Sequence, residues 1–217
     1  MATWNDVTTA LKNRKLIRKS LDAVVLTADP SVALPTTILT GSDLVIPSSY
    51  LALGWHSEDG LSWAREVENS ELGGHGSVEP LRTDTRRVNN TLEVTALETN
   101  IQTLGHPLGV KLEATAGSAT EVVITEPSTP KAREFRMLAL SVDDTDDGEI
   151  YFGKLFALAK VTGTSPGAWV DGDSAQSYGL TIQAFRDPTA GFAVQHFIGG
   201  PGFEALRADM GWDAITP

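Results

Sequence analysis

Thr91-Leu92-Glu93-Val94-Thr95-Ala96-Leu97 alternates apolar and polar residues without a break. A period of two places Leu92, Val94 and Ala96 on one face of a strand and Thr91, Glu93 and Thr95 on the other. Such a strand needs a sheet with one dry face and one wet face, which antiparallel sheets supply. The clear strand is residues 88–97, and similar short segments recur at 21–28, 50–55, 61–67, 110–114, 121–125, 133–142, 150–162, 177–186 and 191–198, with a further short one at 36–39. Eleven prolines and twenty glycines lie mostly in the gaps, where they break strands and permit turns. Nine or ten short strands leave too little chain for the helices of an α/β fold. The pattern predicts a mainly β protein: an antiparallel β-sandwich/barrel with one short flanking helix, an extended N-terminal arm and a long inter-strand loop.

The length of 217 residues suits a single domain. Residues 1–20 read as the arm, 21–198 as the β-sandwich core and 199–217 as a C-terminal tail, where Phe203, Leu206, Met210 and Trp212 suit a short helix. Asp59-Gly60 predicts a hairpin between 50–55 and 61–67, and Asp143-Asp144-Thr145-Asp146-Asp147-Gly148 predicts a second hairpin turn. Residues 98–104 form the predicted helix, since Gly105 can supply a left-handed end and Pro107 opposes continuation. Residues 68–87 are polar and Gly-rich and read as the long loop, which compact domains seldom keep without a use for it.

Charge excludes some functions. The chain carries −11 overall, which argues against a role gripping nucleic acid, where concentrated Lys and Arg are needed. Its first twenty residues nevertheless hold +4 (Lys12, Arg14, Lys15, Arg18 and Lys19 against Asp6), so the remainder carries −15. A basic arm on an acidic body suits a contact between copies; a solvated start without a partner is equally consistent with the charge alone. No apolar run reaches the roughly 18–20 residues that span a bilayer, and no apolar stretch follows the N-terminal basic residues, so neither membrane insertion nor a signal peptide is expected. Zero cysteines exclude disulfides and suit a reducing compartment.

The chemistry motifs are weak. Gly163-Thr164-Ser165-Pro166-Gly167 matches G-x-S-x-G, but a nucleophile elbow must open a helix, and Pro166 follows the serine directly; a β-turn is the better account. Aligning Gly148 with the sixth position of a calcium loop puts Lys154 at the twelfth, where a bidentate Glu is required. His56, His75, His106 and His196 have no metal-ligand spacing, and no nucleotide-binding glycine pattern occurs. No catalytic residue, cofactor or metal is expected. Five tryptophans allow a non-catalytic carbohydrate-binding or adhesin β-sandwich as the alternative function, although packing explains Trp55 and Trp63 as well.

The succession from Leu53 to Gly109 (short aromatic strand, Glu58-Asp59-Gly60 turn, strand, Gly-rich polar stretch, alternating strand, short helix, glycine) resembles the major tail proteins, or tail-tube proteins, of bacteriophages with long non-contractile tails. Asn5-Asp6-Val7-Thr8-Thr9 with its basic sequel is similar to their starts, particularly in phages of actinobacteria. Ser177 to Asp187 resembles their late strand, and Gly200 to Leu206 their C-terminal close. The resemblance implies a structural virion protein assembled in the host bacterial cytoplasm. It would form homohexameric rings stacked head to tail into the tail tube, with tape-measure, tail-tip and tail-terminator proteins as further partners. Six copies would give a ring of about −66, an acidic bore past which DNA slides without specific binding. For the assembly contacts we expect Lys12, Arg14, Lys15, Arg18 and Lys19 of the arm together with Glu71, Arg82, Arg86 and Arg87 of the long loop; for the bore charge, Glu93, Asp143, Asp144, Asp146 and Asp147. Deleting residues 1–19 is expected to leave folded monomers that cannot polymerise.

Overall fold

The computed structural model describes residues 3, 4, 8, 11–113, 117–129, 131–169, 171 and 175–212. Among them, a 3-10 turn at Arg14–Leu16 precedes ten strands and two helices. The strands are β1 (Asp22–Ala28), β2 (Leu39–Thr40), β3 (Asp43–Leu44), β4 (Leu51–Ala52), β5 (Ser62–Leu72), β6 (Arg82–Ala96), β7 (Glu134–Thr145), β8 (Gly148–Pro166), β9 (Tyr178–Phe185) and β10 (Val194–Gly199). The helices are α1 (Ile101–Leu108), between β6 and β7, and α2 (Pro201–Leu206), after β10. The protein is mainly β and antiparallel, as the alternation requires.

One curled sheet runs β4-β1-β7-β8-β9-β6-β5, with β10 also on β8 and β2-β3 as a separate ribbon. β8 is its spine. One side of β8 pairs with β7, and the other side pairs first with β10 and then with β9. Opposite Phe135–Met137, and again between Val161 and Gly163, β8 spends one residue more than its partner. Each such bulge bends and twists the strand, which lets one 19-residue strand serve both leaves of a sandwich.

Between the leaves, Val25, Met137, Ala139 and Phe156 of β1, β7 and β8 pack against Leu92, Val94, Leu180 and Ile182 of β6 and β9. The outward face of β1-β7-β8 is apolar too: Leu26, Leu138, Leu140 and Leu155 are covered by Ile38 and Tyr50 from the connection after β1. The continuous apolar run Met137 to Leu140 follows from this burial on both faces.

The two ends of the sheet meet across residues 53–57. Leu53 N–H donates to the Val25 carbonyl of β1 at 2.9 Å, while Leu97 N–H donates to Trp55 O at 2.8 Å and His56 bridges Ala96. Gly54 makes the crossing with φ +85°, and a Cβ there would lie 2.1 Å from Glu98 Cδ; the Glu98 carboxylate accepts from Trp55 N–H at 2.9 Å. No hairpin therefore joins 50–55 to 61–67. Leu51–Ala52 pairs with β1, and residues 55–57 and β5 run in turn along the same strand, β6. The Asp59-Gly60 turn is an excursion within one edge, with Gly60 N–H bonded to Ser57 O.

Other expectations shift. The helix starts later and ends later than the sequence suggests. Asn100 caps it, its side chain accepting from Gln102 N–H and Thr103 N–H while Thr103 Oγ1 accepts from Asn100 N–H. Gly105 lies inside the helix, and the left-handed cap is Gly109, φ 65°. Residues 110–113 and 121–125 are not strands: among the described residues they pair with no other strand, and propensity without a partner does not make a strand. Ala114 lies outside the described residues. Gly163 to Pro166 is neither turn nor elbow but the paired end of β8, facing Tyr178 to Thr181.

α1 covers one end of the sandwich. His106 is 2% exposed, its ring tilted on Phe135 with centroids 4.2 Å apart and its Nε2 3.2 Å from Thr27 Oγ1. Thr27 Oγ1 donates to Gln102 Oε1 at 3.1 Å, so it accepts from an Nε2–H tautomer and Nδ1 is left deprotonated. Burial, with Arg133 nearby, pushes the His106 pKa down to about 3. Between about pH 6.5 and that value only the unfolded chain takes up the proton. Stability from this group is fully present above pH 6.5 and lost as pH falls, by roughly 2–3 kcal/mol at pH 4.5. Urea titrations at pH 7.5 and 4.5 should show this loss, and His106→Leu should flatten it.

Candidate assembly surface

The most unusual element is the hairpin of β5 and β6. β6 has 15 residues, yet only Thr91 to Ala96 pair with β9. The rest leaves the core with β5 alone. Every residue of β5 and every residue from Arg82 to Val88 is exposed. About nine residues beyond Thr91 carry the tip roughly 30 Å from the sandwich. The stretch read as a loop at 68–87 is thus two strands with a short tip at 73–81, closed by Leu81 N–H on Leu72 O at 2.8 Å.

Its residues explain both why it forms and why it was missed. No apolar period marks it; side-chain pairing does. Glu68 faces Arg87 across the hairpin, Arg86 Nη1 lies 3.8 Å from Glu68 Oε1, and Thr85 Oγ1 donates to Asn69 Oδ1 at 3.2 Å. Arg82 Nε binds Asp84 Oδ2 at 2.7 Å on the same face. Cross-strand pairs of this sort contribute tenths of a kcal/mol each. Acids in β5 against arginines in β6, around Gly73-Gly74-His75-Gly76, are the signal a reading by hydrophobicity alone passes over. At Arg86 the strand carries one extra residue, a bulge that adds twist.

The sandwich sheet continues onto the arm with one small, polar outer face. Glu93 is exposed on it, with Ser62 opposite on β5 and Thr181 on β9; Thr91 faces Ala64 and Gln183. Gln183 Nε2 donates to Asn89 Oδ1 at 3.2 Å, and Glu66 and Glu68 extend this face along β5. Of the expected bore residues, only Glu93 lies here.

The other four lie at the β7–β8 turn, where Asp143 and Asp147 meet the basic arm. Arg18 Nη1 is 3.3 Å from Asp143 Oδ2, with side chains 17% and 8% exposed, and Lys15 Nζ is 3.6 Å from Asp147 Oδ2. Asn13 Nδ2 reaches Asp209 at 3.3 Å. The segment from Asn13 thus docks on the body of its own chain. Asp143 is buried; Asp144 and Asp146 are exposed. Lys12, Arg14 and Lys19 are exposed on the arm, as are Glu71, Arg82, Arg86 and Arg87 on the hairpin. Arg18→Ala leaves a buried carboxylate without its cation and should cost about 2–3 kcal/mol, whereas Lys15→Ala, at an exposed pair, should cost under about 0.5 kcal/mol. Urea midpoints distinguish the two.

A closed sandwich with an uncovered pair of strands projecting from it defines a structural β subunit with long free strand edges. Residues 9–189 match the family described as phage tail tube protein, so the chain belongs to that family and is a structural component of the phage tail tube. No curated protein matches the chain.

Proposed function

We propose that the protein forms homohexameric rings that stack head to tail into the tail tube, a negatively charged conduit through which the genome is ejected. The observation that carries this reading is the β5–β6 hairpin, where, among the described residues, 82–90 of β6 pair only with β5 and leave both outer edges of the ribbon open. A two-stranded ribbon is marginal alone in water, and an open edge invites a further strand. Ribbons of neighbouring copies, pairing edge to edge around an axis, remove those edges by closing into a barrel. The small polar face with Glu66 and Glu93 then lines the bore, and its carboxylates repel the phosphate backbone. The tube assembles in the host cytoplasm, on a tail tip and along a tape-measure protein, and a terminator stops it.

Negative-stain electron microscopy at rising protein concentration, paired with sedimentation, tests this. Hollow tubes or stacked six-fold rings are expected. Closed rings of another order would overturn the hexamer, and solid fibrils or a monomer that stays monomeric beside a preassembled tail tip would overturn the tube.

A further inference from the structure

A groove of about 930 Å³ opens between the two leaves at the base of the hairpin. Strand register explains why the core stops short of filling it. Towards the centre of the sandwich, Met137 and Phe156, paired across β7 and β8, occupy the space between the leaves. One row further out, the register aligns Val25, Ala139, Lys154 and His196 on β1, β7, β8 and β10. The row after that aligns Ala23, Ser141, Phe152 and Ile198. Ala23, Ala139 and Ser141 are small, so a slot stays open between them and Trp63 on the other leaf.

The slot holds a cation in mostly apolar surroundings. The Lys154 ammonium lies 3.8 Å from the centroid of the Trp63 ring, and among the described residues no carboxylate forms an ion pair with it. The ring face offsets part of the cost of burying the charge, but the ammonium donors still call for an anion. Desolvation lowers the Lys154 pKa, and burial with the Lys154 charge lowers that of His196 beside it. Among the described residues lining the groove, Lys154 is the only Lys or Arg. The exposed Asp22, Glu58 and Asp59 also line it and repel polyanions. What these groups favour is one negative charge carried on an apolar body, in a concave site with few polar groups. We propose that the groove binds a small amphipathic carboxylate of fatty-acid type, its carboxylate on the Lys154 ammonium and its tail between Trp63 and Phe152, over Ala139 and Ser141. Every group it uses belongs to one chain, so the site is complete in the monomer and independent of the tube reading.

Calorimetric titration of the purified chain with dodecanoate, kept below the concentration at which it forms micelles, tests this. One equivalent should bind per chain. Lys154→Met keeps the length of the side chain, removes its charge and should weaken binding about tenfold. Ser141→Leu fills the slot from a half-buried position and should weaken it by a similar factor. Dodecanol, which has the same tail and no charge, should bind the parent protein about tenfold more weakly than dodecanoate. Absence of saturable dodecanoate binding overturns the site. Binding that neither substitution weakens places the ligand elsewhere and also overturns it. Equal affinity for dodecanol and dodecanoate overturns the pairing with Lys154, and this comparison needs no variant.

Discussion

Replacing residues 68–87 with Asn-Gly should abolish tube formation while leaving the monomer folded. Val67 and Val88 face each other in the register of β5 and β6, so a two-residue turn can join them without disturbing the sheet. Every removed residue except the half-buried Gly74 of the tip is exposed, so the sandwich keeps its core and melts within a few degrees of the parent. What disappears is the ribbon that offers open edges to neighbours. Sedimentation should show a monomer at concentrations where the parent forms tubes, with unchanged far-ultraviolet signal per retained strand. A shortened protein that still polymerises would place the ring contacts elsewhere.

Phe156→Ala should be the most damaging single substitution in the core. The side chain is fully buried at the middle of β8, with its ring edge-on to Trp63 at 5.9 Å between centroids. It touches the strand that bends from one leaf to the other, so the cavity opens where the leaves are clamped and cannot easily collapse. A loss of about 4 kcal/mol is expected, seen as a fall of roughly 10 °C in melting temperature. Ile198→Ala, at a side chain 37% exposed, should cost under about 1 kcal/mol by the same measurement.

These effects also show how far the chain could be read in advance. Leu92, Val94 and Ala96 were legible as one buried face because only the neighbouring residues decide that alternation. The Asp143 to Gly148 turn was legible for the same reason: Gly148 has φ 110° and ends a tight reversal. Residues 121–125 look like a strand and are not, while 68–72 and 82–87 look like a loop and are strands. In each case the deciding term is a partner far along the chain. Of the expected assembly residues, the hairpin arginines and Glu71 lie on the exposed hairpin, but Arg18 and Asp143, placed in different roles, form one largely buried ion pair.

The β class, the positions of the strongest strands and turns, the acidic charge and the presence of a short helix after the alternating strand were set by the chain alone, because propensity, periodicity and charge are local or additive quantities; the helix's caps at Asn100 and Gly109 were not. Only the tertiary structure decided that β8 serves two leaves, that 53–57 joins the ends of the sheet, that the basic arm lies on its own body, and that a polar ribbon projects with open edges. Strand pairing and ion pairing join residues far apart in the chain, 132 positions for Lys15 and Asp147 (147 − 15), and their energies exist only once the chain has brought those residues together.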